Sequence, residues 1–145
     1  MFALLFGTFA LFAVILFTFG FYLFSAYVLF RIGEKFRIGS YPAFLVPVYN
    51  VMLLCDCAGI TRWTAAGIVM PGLAAALLGI FIPLGDAGYA ALAIFTFSWI
   101  YLWGSVAERL GKNFWLWGLL TAFLGGIPIL FLAFDSSLPS RGRRQ

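Results

Sequence analysis

Histidine is absent from this 145-residue chain, and cysteine occurs only twice. Without histidine the chain has no Ser-His-Asp triad, no intramembrane Ser-His dyad and no histidine-ligated zinc. Cys55 and Cys57 lie two residues apart, which on a helix places them on nearly opposite sides and disfavours a disulfide. We interpret both as small apolar residues. A Walker-type glycine-rich loop is also missing, so the sequence predicts no cofactor and no metal.

Carboxylates are scarce as well, and aspartyl chemistry needs two that meet. The candidates are Asp56, Asp86 and Asp135, and the last two lie at predicted helix ends. The stretch Leu84-Gly85-Asp86 faintly echoes the Gly-Asp motif of intramembrane aspartyl proteases, but the preceding glycine and a partner motif are missing. We therefore predict that the chain is not an enzyme and has no catalytic residue.

Charge is sparse in a strongly apolar chain, with 10% charged and 64% hydrophobic residues. Soluble domains carry about 25% charged residues, and a chain this short would leave large apolar patches exposed to water. The composition predicts an integral membrane protein whose first partner is the lipid bilayer. A net charge of +4 is too small and too dispersed to indicate nucleic-acid binding.

Four apolar runs come close to the roughly 20 residues that span a bilayer. They are Phe2–Phe30, Thr64–Pro83, Ala87–Val106 and Phe114–Phe134. The second contains Pro71-Gly72 and the fourth contains Gly125-Gly126-Ile127-Pro128, which favour kinks. The first run has no positive segment before it and exceeds the apolar core of a signal peptide, so we interpret it as a retained helix. Residues 1–135 form one predicted domain, followed by a basic, flexible tail over residues 136–145.

The segment Tyr41–Ile60 is long enough to cross a membrane but carries two prolines, Asn50 and Asp56. Exposed polar groups are costly in hydrocarbon, so a re-entrant or interfacial helix suits it better. The sequence thus predicts an all-α integral membrane protein with about four transmembrane helices plus one re-entrant or interfacial helix.

Loop charges leave the topology open. With the N-terminus outside, six Lys and Arg residues face the cytoplasm whether or not Tyr41–Ile60 crosses. A third arrangement, in which Phe114–Phe134 turns back at Gly125-Gly126 as a hairpin, places all nine inside. We predict an outside N-terminus, four membrane helices and a segment Tyr41–Ile60 that does not cross.

Tyr49, Asn50 and Asp56 form the first candidate functional group. On a helix Asp56 shares a stripe with Tyr49, and Asn50 lies beside it. Such a face could bind a cation, a proton or the backbone of a partner, because an acid within a membrane indicates function. The alternative, which we favour, is that Asp56 lies at the cytoplasmic interface near Arg62 and anchors the segment.

The turn around Gly111 provides a second group, Glu108, Arg109 and Lys112. Glu108 and Lys112 are i,i+4 neighbours, and Gly111 suits a helix C-cap. We interpret the turn as solvated, with a docking surface for lipid head groups or a partner as the alternative. Gly126 is a further candidate contact, because glycine lets another backbone approach.

Several short motifs follow one another along the chain: Pro47-Val48-Tyr49-Asn50, Ala58-Gly59-Ile60-Thr61-Arg62-Trp63, Glu108-Arg109-Leu110-Gly111-Lys112 and Ala133-Phe134-Asp135. Their order resembles an uncharacterised family of small bacterial membrane proteins, and also a module that precedes the catalytic part of some Bacteroidetes type I signal peptidases. The chain departs from the pattern in having one tryptophan, Trp63, where the family often has two or more. No counterpart of the peptidase catalytic part occurs in the sequence. The resemblance implies a multi-pass protein of the bacterial inner membrane and carries over no catalytic residue.

Two functional hypotheses follow. The first is a small non-catalytic membrane subunit that packs against other membrane proteins in a larger complex, since small residues such as Gly67 permit close helix contacts. The alternative is a homo-oligomeric channel or transporter for a small solute or ion that uses Asp56 and the two helices broken by proline and glycine.

Overall fold

The computed structural model describes residues 2–78 and 85–139. Helices make up these ranges, and neither contains a strand, which confirms the all-α prediction. The helices are α1 (Phe2–Phe36), α2 (Tyr41–Phe44), α3 (Pro47–Ala58), α4 (Trp63–Leu78), α5 (Gly85–Arg109), α6 (Phe114–Leu124) and α7 (Gly126–Phe134). Two stretches, Gly7–Phe36 and Gly88–Arg109, are long and apolar enough to cross a membrane. The end of the second predicted run, residues 79–83, and the arginines of the tail lie outside the described residues.

Four helices, α1, α3, α5 and α7, end at the same end of the helix array, and α4 and α6 begin there. The Lys35 ammonium of α1 donates to the carbonyl oxygens of Leu132 and Asp135 at 2.7 and 2.5 Å, where α7 ends. Arg109 at the end of α5 donates to the Cys57 carbonyl of α3 at 2.8 Å. We call this end the charged end, because every charged side chain that the structure describes lies there: Arg31, Glu34, Lys35, Arg37, Asp56, Arg62, Glu108, Arg109, Lys112 and Asp135.

Residues 37–62, between α1 and α4, form a first hairpin, and both of its ends lie at the charged end. After Phe36 the chain runs back along α1 until the Leu45 carbonyl accepts a hydrogen bond of 2.5 Å from the Tyr22 hydroxyl. Tyr22 precedes Phe36 by 14 residues, which corresponds to about 21 Å of helix. α3 then returns, so that Arg109 reaches both the Cys57 carbonyl and the Phe36 ring. Both ends of the segment Tyr41–Ile60 therefore lie at the charged end.

A buried aromatic ring holds the first hairpin against α1. Phe44, which ends α2, is fully buried, and its ring packs directly on the backbone of Gly33. A Cβ atom at Gly33 would come within 2.6 Å of that ring, so the close approach depends on glycine. Phe30 contacts the same ring edge to face, with centroids 6.1 Å apart. Apolar packing along one face of α1 therefore fixes the depth of the hairpin.

The fourth predicted membrane run forms a second hairpin instead of one helix. α6 has 11 residues and α7 has nine, and Gly125 between them has φ 60° and ψ −124°, a conformation open to glycine. Lys112 just before α6 forms an ion pair with Asp135 just after α7, so the run returns to the charged end. The prediction of a single transmembrane helix over Phe114–Phe134 is wrong, and the structure has the hairpin alternative. Pro128 lies in the first turn of α7, where its missing N–H leaves no helical bond unmade.

α5 is the central helix and packs against α3, α4 and α6. All of its residues from Leu102 to Ala107 are buried. Two glycines bring α5 and α6 together, because a Cβ atom on Gly118 would lie 2.8 Å from the Ile100 carbonyl oxygen and one on Gly104 would meet the Phe114 ring. α4 continues as a helix through Pro71.

The N-terminal part of α1 extends away from the other helices. Every residue from 7 to 21 is exposed, and burial begins only at Tyr22. A Cβ atom at Gly7 or Gly20 would meet nothing within 4 Å. We call residues 7–21 the α1 arm. Packing within the described chain gives no reason for glycine at either position.

Candidate functional site

Asp56 lies at the charged end and pairs with Arg62. The Arg62 guanidinium donates to both carboxylate oxygens, with Nε to Oδ1 at 3.0 Å and Nη2 to Oδ2 at 2.9 Å. The Arg62 side chain is 63% exposed and that of Asp56 29%. Solvent screens an exposed pair of this kind, so it contributes little to stability. The geometry therefore favours the anchoring interpretation of Asp56 over a role as an acid within the hydrocarbon.

Tyr49 and Asn50, predicted to act with Asp56, lie in different surroundings. Asn50 is 8% exposed, and its amide nitrogen donates to the Phe44 carbonyl at 3.4 Å. Tyr49 is 44% exposed, on the outside of the first hairpin. The structure thus separates the buried Asn50 amide from the exposed Tyr49 phenol, because neighbouring residues on a helix face directions about 100° apart.

Arg109 joins three helices. Its Nη1 donates to the carbonyl oxygens of Cys57 at 2.8 Å and Asp56 at 3.2 Å, in the last turn of α3, where carbonyls lack the N–H donor of a following helical turn. The Asp56 carbonyl also accepts from the Gly59 N–H at 3.1 Å. Its guanidinium carbon lies 5.7 Å from the centroid of the Phe36 ring, within the range of a cation–π contact. Gly59 ends α3 with φ 68°, and a Cβ atom there would lie 3.0 Å from the guanidinium. Arg109 is therefore a structural cap and not a free docking group.

Lys112 and Asp135 close the second hairpin. Their ion pair lowers the pKa of the Asp135 carboxyl, chiefly through the hydrogen bond from Lys112. The Lys112 ammonium also lies 5.0 Å from the centroid of the Trp117 ring. Glu108, the predicted i,i+4 partner of Lys112, is exposed and contacts no other charged side chain in the described part of the chain. In this turn Arg109 and Lys112 thus hold helix ends together, and Glu108 is exposed to solvent.

Sequence reasoning missed an apolar cavity of about 530 Å³ that lies between the two hairpins, α1 and α5. We call it the inter-hairpin cavity. Its walls include Phe24, Val28, Asn50, Leu54, Trp103 and Gly126. Gly126, predicted as a contact for a partner, lines this cavity, and a Cβ atom there would meet nothing within 4 Å.

Trp103 and Asn50 are the buried polar groups of this cavity. Trp103 is 1% exposed, and its Nε1 has no hydrogen-bond partner among the described residues. Trp103 lies three residues from the end of the run Ala87–Val106, where a tryptophan usually indicates the level of the lipid head groups, so no sequence signal indicated its place in this cavity. No group of three or more potential metal-ligating side chains occurs in the described ranges.

Comparison with known proteins adds no relative. No protein-family model matches the chain, and no curated protein and no solved structure is similar to it. The resemblance to small bacterial membrane proteins therefore stays an expectation drawn from short motifs.

Proposed function

We propose that this chain is an integral membrane protein in which α1, α4 and α5 span the bilayer and both hairpins are re-entrant from one side. The length of α5 supports the proposal, because Tyr89 and Arg109 are separated by about 30 Å of helix, the thickness of the hydrocarbon core. In the most apolar 18-residue stretch of Gly7–Phe36 only 6% is buried, and in that of Gly88–Arg109 33% is buried. Core helices of a water-soluble protein would be mostly buried. Trp63 and Trp115, strongly exposed at the charged end, suit the head-group layer.

The proposed orientation follows the positive-inside rule. The described cations, which are Arg31, Lys35, Arg37, Arg62, Arg109 and Lys112, all lie at the charged end. We assign this end to the cytoplasm and the N-terminus to the other side. Together with the motif resemblance, this orientation supports a location in the bacterial inner membrane.

Within that membrane, we propose that the protein is a non-catalytic accessory subunit that packs against other membrane proteins. The observation that carries this proposal is the α1 arm, an exposed apolar stretch with glycines that no packing within the described chain requires. Glycine inside a helix costs about 1 kcal/mol relative to alanine. In lipid, glycine lets the backbone of another helix approach closely, and such contacts drive helix association.

The alternative of a channel or transporter gains less support. Asp56, its proposed ion ligand, pairs with Arg62 at the charged end and does not line the inter-hairpin cavity. The described residues around that cavity include no charged side chain. This geometry therefore does not favour a path for an ion through the inter-hairpin cavity.

Photocrosslinking tests the accessory role. A benzophenone amino acid replaces Phe12 in the arm, and Phe123, exposed on α6, serves as the matched control. We expect a protein adduct of one defined mass at Phe12 in native membranes, identified as a different integral membrane protein, and its loss in Gly20→Leu. An adduct between two copies of this chain would instead favour the homo-oligomer, and adducts with lipid alone would contradict both.

A further inference from the structure

The inter-hairpin cavity lies at a depth that lipid chains occupy. Trp103, at one wall, precedes Arg109 by six residues, or about 9 Å of helix. Gly125, at the turn of the second hairpin, follows Asn113 by 12 residues, or about 18 Å. If α5 crosses the bilayer as proposed, the cavity extends from the edge of the hydrocarbon core toward its middle. The inference rests on that membrane location but not on the accessory role.

The cavity is accessible from the side. Phe21, Phe24, Gly126 and Ile127 all line it and are all exposed on the outer surface of the helix array. At this depth the surface faces hydrocarbon and not water. A molecule dissolved in the membrane can therefore enter without passing through an aqueous phase.

The walls combine apolar surface with unused hydrogen-bond donors. Phe24, Val28 and Leu54 provide hydrocarbon and aromatic contacts. The Trp103 indole lacks an acceptor in the described part of the chain, and the Asn50 amide uses one of its two N–H groups in a long bond to Phe44. Buried donors need an acceptor, and no charged group among the described lining residues favours an ion. These properties select an uncharged hydrocarbon chain that carries a carbonyl oxygen.

We propose that the inter-hairpin cavity binds one acyl chain of a membrane lipid, with its ester carbonyl oriented toward Trp103 and Asn50. A volume of about 530 Å³ is within the range of ligand pockets, about 300–1,000 Å³. A partner helix does not fit, because a helix about 10–12 Å wide would fill this volume within two turns. The chain thus holds a lipid at a defined position between its two hairpins.

Photolabelling in liposomes tests the proposal. The probe is phosphatidylethanolamine with a diazirine in one acyl chain, diluted into liposomes that contain the full-length protein. We expect saturable labelling of α3, α5 and residues 125–130 that unlabelled phosphatidylethanolamine competes away. In Gly126→Phe the labelling falls about tenfold, equivalent to about 1.4 kcal/mol of binding free energy. Gly7→Phe is the matched control, since it fills open space on the α1 arm and leaves the labelling unchanged.

Labelling that never saturates, or that follows the outer surface of the α1 arm as strongly as the cavity, would overturn the proposal. Competition in the unmodified protein decides this point even where Gly126→Phe fails to fold. Trp103→Phe gives an independent check, because it keeps an aromatic ring but removes the donor. We expect ester-linked phosphatidylethanolamine to compete better than its ether-linked analogue in the parent, and the two lipids to compete equally in Trp103→Phe. Flotation with liposomes distinguishes a failure of the lipid site from a failure of the proposed membrane location. A protein that floats but shows no saturable labelling overturns the lipid site alone. A protein that does not float overturns the membrane location.

Discussion

At the scale of single residues, cations at the charged end complete helices that are not their own. The last carbonyls of a helix have no partner within it, and here Lys35 and Arg109 supply donors from α1 and α5 to the ends of α7 and α3. Positive charge at a helix C-terminus also interacts favourably with the helix dipole. The same side chains thus support the proposed orientation and hold the hairpins in place.

The first prediction concerns Arg109. We expect Arg109→Leu to lower the free energy of unfolding by about 1–3 kcal/mol, because the carbonyls of Asp56 and Cys57 lose a charged donor. Thermal unfolding in mild detergent measures the effect. The control is Glu108→Gln at the adjacent position, where an exposed side chain is expected to change stability by less than about 0.5 kcal/mol. Equal stability of the two variants would show that Arg109 caps nothing of importance.

The second prediction is a pH dependence. The lowered pKa of Asp135 means that the ion pair with Lys112 stabilises the fold above the unfolded pKa of an aspartate, about 3.9. That contribution is lost as the pH falls through the lower pKa of the folded state. Asp135→Asn should therefore unfold at a lower temperature than the parent at pH 7, and the difference should shrink below about pH 4. A difference that is constant with pH would contradict an ionic role for Asp135.

At the scale of elements, the two hairpins use glycine for different reasons. Gly33 leaves room for the Phe44 ring against α1, whereas Gly125 adopts a backbone conformation that other residues rarely reach. Neither hairpin is long enough to cross a bilayer, since α3 has 12 residues and α6 has 11. Each depends on contacts with α1 and α5 to remain at its depth.

The third prediction compares the two adjacent glycines of the second hairpin. Gly125→Ala is expected to destabilise the protein by about 1–3 kcal/mol, because alanine is strained at a φ of 60° and a ψ of −124°. Gly126→Ala is expected to stabilise it by about 0.4–1 kcal/mol, because Gly126 is helical and has open space around it. Thermal unfolding of both variants checks the opposite signs. The same sign at both positions would mean that the turn is not formed as described.

At the scale of the whole molecule, the fourth prediction is the sidedness of the chain. Single cysteines at Ser40, Thr61, Asn113 and Ser136, in a background without Cys55 and Cys57, should all react from the cytoplasmic side with a membrane-impermeant maleimide. A cysteine at Tyr89 should react from the opposite side. Opposite labelling of Ser40 and Thr61 would make the first hairpin a crossing segment, and opposite labelling of Asn113 and Ser136 would do the same for the second.

The sequence alone was sufficient for the helical class of the structure and for the break at Gly125-Gly126, whereas α4 continues as one helix through Pro71, where a kink was predicted. The long apolar runs and the scarce charge can be read directly from the sequence. They predict helices, because a backbone within lipid must satisfy its own hydrogen bonds. The prolines and polar residues of Tyr41–Ile60 predict a segment that does not cross, and this stays a prediction. Gly125 and Gly126 marked a break in the last run, but local chemistry could not distinguish a kink from a turn.

Only the tertiary structure decided that distinction, because it depends on residues far apart in the chain. Lys35 and Asp135 are 100 residues apart, and their contact returns α7 to the charged end. Asn50 and Tyr49 are adjacent, yet packing against α1 and α5 buries one and leaves the other exposed. The inter-hairpin cavity likewise exists only where α1, α3, α5 and the second hairpin meet, since no single helix carries more than part of its wall. A sequence pattern reports the surface of one helix, whereas a cavity is a property of the space between several.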